Sequence, residues 1–253
     1  MSKKRKRSRN AQIIDLADAL VNNGHAIQEG PKRKKWTRHD LKHIKPLTTN
    51  QEEMFRAFFE GKHICAHGSA GTGKTFIAIY LALNEMFHSQ TIDRIVIVRS
   101  AVPTRDMGFM KGTLEEKEAL YELPYAEMFT ELLGRRNSYQ DMKDADVVRF
   151  CTTSYVRGLT WDNAVVIVDE VQNMNFHEIN SIVTRLGDSS RVILVGDLRQ
   201  NDLHNRRHDQ SGIDSLIKVA EQMPAFGVVH FTKHDIVRSA FVKSWICTSE
   251  EVL

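Results

Sequence analysis

The segment HGSAGTGKT at residues 67–75 contains the pattern GxxxxGK[ST], which is typical of a loop that binds the phosphates of a nucleotide. Glycines let the backbone approach a phosphate closely, and the amide groups of residues 70–75 can point inward at the start of a helix. We expect Lys74 to contact the β- and γ-phosphates and the Thr75 hydroxyl to bind Mg²⁺. The alternative is a glycine-rich turn without chemistry.

The residues on either side of this loop favour nucleotide binding. An apolar run at residues 63–66 predicts a strand before the loop, and the apolar residues 76–83 predict a helix after it. Strand, loop and helix in this order are the context that the pattern requires. The residues predicted to bind the nucleotide here are Gly68, Ser69, Ala70, Gly71, Thr72, Gly73, Lys74, Thr75 and Phe76.

A second segment, AVVIVDE at residues 164–170, predicts a strand that ends in two acids. A strand this apolar is buried on both faces of a parallel sheet. At its carboxyl end Asp169 would hold Mg²⁺ through water, and Glu170 would polarise the attacking water. Two acids can also cap a helix, but with a phosphate-binding loop upstream the pair favours hydrolysis over passive binding.

The remaining apolar runs alternate between the strand and the helix pattern. Strands are predicted at residues 94–98, 147–152, 191–197 and 227–232, and helices at 52–59, 115–120, 125–133, 216–223 and 235–245. This alternation predicts an α/β fold with a mainly parallel sheet and helices on both faces.

Two glutamines are further candidates for nucleotide contacts. Gln51 leads into the helix ahead of the loop, and its amide offers a donor and an acceptor that could bind adenine. Gln200 follows the strand that ends at Asp197, where a polar side chain can sense the γ-phosphate. A glutamine on the surface is the alternative for Gln51.

Composition limits the remaining classes of function. The chain has 253 residues and a net charge of +3, with positive charge concentrated at residues 3–9 and 32–35, so the whole chain is not a strongly basic nucleic-acid binder. Its three cysteines are far apart, which argues against a disulfide framework or a zinc site. No apolar run is long enough for a membrane span or a signal peptide, and we expect a cytoplasmic protein.

We expect two parts in the chain. Residues 1–45 form a basic tail with a short helix at 12–22 and a linker near Gly30 and Pro31, and residues 46–253 form the nucleotide-binding domain. The basic tail could contact the phosphates of a nucleic acid, act as a nuclear address in a eukaryotic host, or be solvated without a partner.

The order of several motifs resembles the PhoH family of phosphate-starvation-type ATPases, which is similar to the RecA-like motor domain of superfamily 1 helicases. The resemblance covers roughly residues 46–246. It is carried by HGSAGTGKT at 67–75, YVRGLTWDNAVVIVDEVQN at 155–173, TRLGDSSRVILVGDLRQNDL at 184–203, SGIDSL at 211–216 and HDIVRSAF at 234–241. Two positions depart mildly from the family pattern: Val171 replaces the alanine of DEAQN, and Ser69 replaces a proline of the loop.

The resemblance implies a three-layer P-loop NTPase with a RecA-like core, in which the strands of the loop and of the acid pair flank the strand ending in Gly196-Asp197. It implies ATP hydrolysis with Mg²⁺, RNA or single-stranded DNA as substrate, a ring-like homo-oligomer with a hexamer favoured, and a bacterial or phage-infected cytoplasm. Gln172 and Gln200 would couple the γ-phosphate to the nucleic-acid surface. Neither a KH-type RNA module nor a nuclease domain is recognisable, which leaves the basic tail as the evident means of substrate targeting.

A single RecA-like domain needs an arginine to neutralise charge on the transferred phosphate. We expect a neighbouring subunit to supply it, with Arg238 as the first candidate and Arg185 as the second; the alternative is that Arg238 faces solvent on the last helix. The predicted catalytic residues are Lys74, Glu170, Gln200 and Arg238.

Two classes of function remain open. One is a motor that acts on nucleic acid, and the other is an ATP-driven switch or remodelling ring that acts on a protein partner. A small-molecule kinase is a distant third, because neither an acceptor site nor a lid is evident.

Overall fold

The computed structural model describes residues 36–100, 114–197 and 212–252. The predicted tail helix, the linker and Gln200 lie outside these residues. The chain divides into the units Met1–Lys35 and Trp36–Leu253. The second unit contains Trp36, Leu41 and Ile44, which the sequence analysis put in the tail, and their side chains pack against its core.

Six parallel strands form one sheet in the order β3-β2-β4-β5-β1-β6. They are β1 His63–Gly68, β2 Arg94–Arg99, β3 Val148–Thr152, β4 Ala164–Asp169, β5 Arg191–Gly196 and β6 Phe226–Phe231. The four central strands are continuous apolar runs because each is covered on both faces. Strand β5 lies between β1 and β4, which confirms the strand arrangement implied by the resemblance.

Helices cover both faces of the sheet and complete the predicted three layers. They are α1 Thr49–Phe59, α2 Lys74–His88, α3 Leu114–Leu133, α4 Ser138–Asp144, α5 Phe176–Val183, α6 Ile213–Gln222 and α7 Ala240–Val252. Helices α1 to α4 pack on the face that carries Ile64 and Ile167, whereas α5 and α6 pack on the face that carries Cys65 and Val166. The α/β fold with a RecA-like core is therefore present.

The register of the sheet brings the predicted site residues to one edge. Arg99 is paired with Asp169, and His67 is paired with Gly196. Since all strands are parallel, their carboxyl ends meet at this edge, where open α/β sheets bind ligands.

Three of the predicted helices differ clearly from the structure. The segments at 115–120 and 125–133 form one continuous helix, α3. The last helix begins at Ala240 rather than at Asp235, because Asp235 closes a short 3-10 turn and accepts hydrogen bonds from Thr232 and from Asn50. Within the described ranges, no helix has the length and apolar character needed to cross a membrane.

Candidate active site

The phosphate-binding loop begins where β1 touches β6. Gly68 has φ of 121°, and a Cβ at this position would lie 1.9 Å from the carbonyl oxygen of Phe231, so only glycine allows the contact. Ser69 N then donates to the same oxygen at 2.9 Å. At the other end Gly73, in the left-handed region with φ of 82°, starts helix α2. The two glycines give the loop its shape.

A cleft of about 230 Å³ opens above this loop, and we call it the phosphate cleft. Residues 70–76 form one wall. Met128, Asp169, Glu170 and Arg238 lie around the rest of it, together with the end of β5 at residues 195–197. The structure thus brings the two predicted motifs together in one cavity. Gly68 and Ser69 do not line this cleft, and their carbonyl oxygens accept hydrogen bonds from Lys74.

Lys74 is buried and its ammonium group turns back onto the loop. Nζ donates to the carbonyl oxygen of Ser69 at 2.7 Å, to that of Gly68 at 3.2 Å and to Thr72 Oγ1 at 3.3 Å. These acceptors are neutral, whereas phosphate oxygens carry negative charge and form stronger charge-assisted hydrogen bonds. A bound phosphate would therefore compete effectively for the ammonium group.

The Thr75 hydroxyl and the Asp169 carboxylate are in contact. Thr75 Oγ1 donates to Asp169 Oδ1 at 3.0 Å, which joins the start of α2 to the end of β4. Both atoms are hard oxygen ligands, the kind that Mg²⁺ prefers, and Mg²⁺ at phosphates takes only one or two carboxylates from the protein. The two residues fit the predicted Mg²⁺.

Sequence reasoning missed the second partner of Asp169. Tyr125 of helix α3 is 1% exposed, and its hydroxyl donates to Asp169 Oδ2 at 2.9 Å. Burial, together with the charge of Asp169, raises the pKa of Tyr125 well above its ordinary value, so the hydroxyl stays a donor. The predicted helix at 125–133 contained this residue, but nothing in the sequence indicated which face would meet Asp169.

Arg99 was missed as well. It ends strand β2 beside Tyr125 and the two acids, and its charge acts on the pKa values of Tyr125 and Glu170. Burial alone would lower the pKa of Arg99, but Tyr125, Asp169 and Glu170 outweigh it and raise the pKa. The sequence signal that could have identified Arg99 is its position as a charged residue at the end of the strand next to the acid pair.

Glu170 lies at the mouth of the cleft in a strained backbone conformation. Its φ is 57°, which is uncommon for a residue other than glycine and typical of functional sites. Burial, and then the neighbouring Asp169, raise the pKa of Glu170, while Arg99 and a hydrogen bond from Gln172 act against the rise. A carboxylate with a raised pKa is a better proton acceptor near neutral pH.

Gln172 joins the acid pair to the neighbouring strand. It is fully buried; its Nε2 donates to Glu170 Oε2, and its Oε1 accepts from the backbone N of Asp197 at 2.9 Å. The side chain therefore holds Glu170 in relation to the end of β5. The predicted partner in coupling, Gln200, lies outside the described residues.

Gln51 supports the loop in this structure. It is 4% exposed, its Nε2 donates to the carbonyl oxygen of Thr72 at 2.9 Å, and its Oε1 accepts from the backbone N of Leu47 at 2.7 Å. Both ends of the amide are thus bonded within the protein. The predicted contact with adenine stays a prediction, and it would require Gln51 to exchange these bonds.

The two arginine candidates lie in different places. Arg238 precedes α7 and lines the phosphate cleft of its own chain, next to Gly71. Helix α7 begins only at Ala240, so Arg238 lies ahead of the helix. The predicted supply of this arginine by a neighbouring subunit stays a prediction. Arg185 donates to the carbonyl oxygens of Val156 and Ser181 and lies outside the lining of its own chain's cleft, and its role as the second candidate stays a prediction.

Solved structures resemble the chain only distantly. The UvsW helicase from bacteriophage T4 has a TM-score of 0.42 at 15% identity, with 88% of this chain and 77% of that chain covered. The Sulfolobus solfataricus SWI2/SNF2 ATPase core in complex with dsDNA has a TM-score of 0.41 at 14% identity, with 81% and 47% covered. Similarity at this level carries no argument about function.

Sequence relatives are much closer. Protein PhoH of Escherichia coli K12 is 34% identical over 206 residues, which cover 79% of this chain and 57% of the relative. PhoH-like proteins of Mycobacterium tuberculosis H37Rv and Bacillus subtilis are 31% and 30% identical over 79% of this chain and over 56% and 62% of their own lengths. The chain thus spans little more than half of these relatives. The family profile described as PhoH-like protein matches residues 43–249, and the chain therefore belongs to the PhoH family.

Proposed function

We propose that this P-loop protein is an Mg²⁺-dependent ATP hydrolase that couples hydrolysis to action on RNA or single-stranded DNA. The observation that carries the proposal is the hydrogen bond between Thr75 and Asp169 at 3.0 Å, with Glu170 beside it at the mouth of the same cleft. The loop, the two residues proposed as metal ligands and the proposed proton acceptor line one cavity, and this arrangement supports phosphoryl transfer to water.

Each group has a defined role in the proposed reaction. The amides of residues 70–75 and the ammonium of Lys74 bind the β- and γ-phosphates of ATP. Mg²⁺, held by Thr75 and Asp169, would supply charge neutralisation on the phosphate oxygens. Glu170 orients a water and accepts its proton, and Gln172 holds the Glu170 carboxylate in place. Arg238 neutralises the charge that develops on the γ-phosphate from the rim of the cleft.

Membership of the PhoH family and the link through Gln172 support nucleic acid as the substrate. This side chain connects Glu170 to the backbone of Asp197, and the segment GDLRQNDL that follows is the predicted coupler. A change at the γ-phosphate would reach the end of β5 by this route.

The test is the steady-state ATPase rate with and without single-stranded RNA and single-stranded DNA, across a salt series. We expect stimulation that weakens with added salt, since contacts to phosphates release counterions. Glu170→Gln serves as the control for contaminating ATPases. A rate that responds to neither strand, in protein shown to be folded, would reject nucleic acid as the substrate.

The second candidate is an ATP-driven switch acting on a protein partner, and one observation favours it. Helix α7 exposes two aromatic side chains next to the phosphate cleft, Phe241 at 76% and Trp245 at 68%. An exposed aromatic surface suits a protein interface. The ring-like homo-oligomer implied by the resemblance would use such a surface too, and light scattering of the wild type and of a Phe241→Ser/Trp245→Ser variant would measure assembly directly.

A further inference from the structure

A second cavity of about 560 Å³ lies away from the phosphate cleft, and we call it the basic groove. It is enclosed by the segment at residues 38–46 and by the later halves of α1 and α2, and none of its lining residues lines the phosphate cleft. Helix α2 runs from Lys74 in the cleft to His88 in the groove, a distance of about 20 Å at 1.5 Å per residue. The groove is therefore a separate site.

The lining of the groove carries basic side chains and no carboxylate. The basic residues are Arg38, His39, His43, Lys45 and His88. Arg38 and Lys45 are exposed, and no ion pair holds either of them within the part of the chain that the structure describes. Three acids that lie close in sequence to the lining residues have other partners: Asp40 pairs with Arg135, Glu60 with Lys62 and Glu85 with Arg191. The groove thus offers uncompensated positive charge.

Aromatic side chains lie between these cations. Phe55 and Tyr80 stack at 5.6 Å between ring centroids and form the floor. Phe59 packs edge-on against Phe55 at 6.2 Å between ring centroids, lines the groove and is 57% exposed. An exposed phenyl ring beside cations is the combination that binds single-stranded nucleic acids, since each base can stack on a ring while the backbone follows the charges.

We propose that the basic groove binds single-stranded nucleic acid, with phosphates at Arg38 and Lys45 and a base on Phe59. The proposal rests on the proposed function and adds a substrate contact on the domain itself, separate from the basic tail. An acidic protein segment would use the cations but would gain little from Phe59, and it is therefore the less favoured occupant.

The experiment measures binding of a dye-labelled single-stranded RNA and of the matching DNA to the full chain by fluorescence anisotropy across a salt series. Arg38→Ala/Lys45→Ala should lose two phosphate contacts, which lowers the slope of log K against log salt by about 1.4 and weakens binding about 25-fold at 0.1 M salt. Phe59→Ala should weaken binding roughly 5- to 100-fold without changing the slope, because stacking is not a charge interaction.

The matched control is Arg157→Ala/Lys218→Ala, which removes one arginine and one lysine from exposed positions outside the groove that, like Arg38 and Lys45, have no ion pair among the described residues. Equal affinity and slope in the groove and control variants, with ATPase stimulation by nucleic acid intact, would overturn the groove assignment and leave the proposed function standing. A wild type that binds neither strand and shows no stimulation would reject both. Binding of polyglutamate instead, lost only in the groove variant, would assign the groove to an acidic protein and refute the proposal.

Discussion

Removing one hydroxyl, in the variant Tyr125→Phe, tests whether Asp169 is a positioned metal ligand. Asp169 is bonded on both sides: Oδ1 accepts from Thr75 at 3.0 Å, and Oδ2 accepts from Tyr125 at 2.9 Å. The substitution keeps the buried ring and deletes only the second bond. Phenylalanine fills the same space, so no cavity larger than one oxygen is created.

The size of the effect follows from the charge of the acceptor. A hydrogen bond to a charged group contributes about 1.5–3 kcal/mol, and we expect the free energy of unfolding to fall by that amount. Residues that orient a metal ligand are worth about 10- to 100-fold in metal affinity or activity. A tenfold change in affinity corresponds to about 1.4 kcal/mol. The expected loss of unfolding free energy and the expected loss of Mg²⁺ affinity are therefore of similar size, as the loss of one hydrogen bond predicts. The apparent Mg²⁺ concentration for half-maximal ATPase should therefore rise at least tenfold.

Two measurements are needed, namely the urea-induced unfolding free energy and the Mg²⁺ dependence of ATP hydrolysis. The chain offers a matched control in Tyr139→Phe. Tyr139 is 4% exposed, and its hydroxyl also donates to a carboxylate, Glu122, at 2.7 Å. That pair lies on α3 and α4, outside the lining of the phosphate cleft. The control should lose stability and keep its Mg²⁺ dependence.

The reasoning would be refuted if both variants lost stability and neither changed its Mg²⁺ dependence by more than about twofold. Tyr125 would then be a core residue whose hydrogen bond to Asp169 contributes to stability but not to metal binding. Retained stability in Tyr125→Phe would also contradict it, because the buried Asp169 would not need the bond.

The remaining predictions use other groups. Glu170→Gln should abolish turnover and keep ATP affinity, whereas Lys74→Ala should lose affinity as well; fluorescent nucleotide titration and ATPase assays separate the two. Arg238→Ala should lower the rate constant of hydrolysis about 10³-fold or more without changing the mass of the assembly. A wild-type rate would contradict the proposed role of Arg238 in neutralising charge on the γ-phosphate. Burial, with His230 and Lys74, lowers the pKa of His67 to about 4. The unfolded chain therefore binds a proton at His67 at a higher pH than the folded chain does. As a result, the free energy of unfolding decreases as pH falls from about 6.5 to about 4. The urea midpoint of His67→Gln should fall less steeply over that range than that of the wild type or of the exposed control His177→Gln.

The parts of the site that sequence reasoning located are those determined by local pattern and by the geometry of parallel sheets. The loop at 67–75 needs glycines that are visible in the sequence, and acids at the end of an apolar strand must lie at the carboxyl edge of the sheet. The structure accordingly brings Thr75 and Asp169 into contact. No knowledge of side-chain packing was required for that step.

The parts that were missed depend on contacts between residues far apart in the chain. Tyr125 reaches Asp169 only because of the way α3 packs on the sheet, and a rotation of the helix by about 100°, the angle between successive residues, would remove the contact. The amide of Gln51 has two possible sets of partners, and its bonds to Leu47 and Thr72 follow from the path of the chain before α1. Periodicity carries neither piece of information.

The placement of Arg238 changes what a ring must do in the proposed mechanism. If a neighbouring subunit supplied the arginine, hydrolysis would require assembly, and the rate per chain would fall on dilution. If Arg238 acts in the cleft of its own chain, which it lines beside Gly71, one domain contains every group that the proposed reaction needs. Assembly would then contribute to substrate binding rather than to hydrolysis. Several basic grooves in one assembly could contact the same nucleic-acid strand, and linked weak sites bind far more tightly than single ones. Basal ATPase per chain should accordingly be independent of protein concentration, while stimulation by nucleic acid should depend on it.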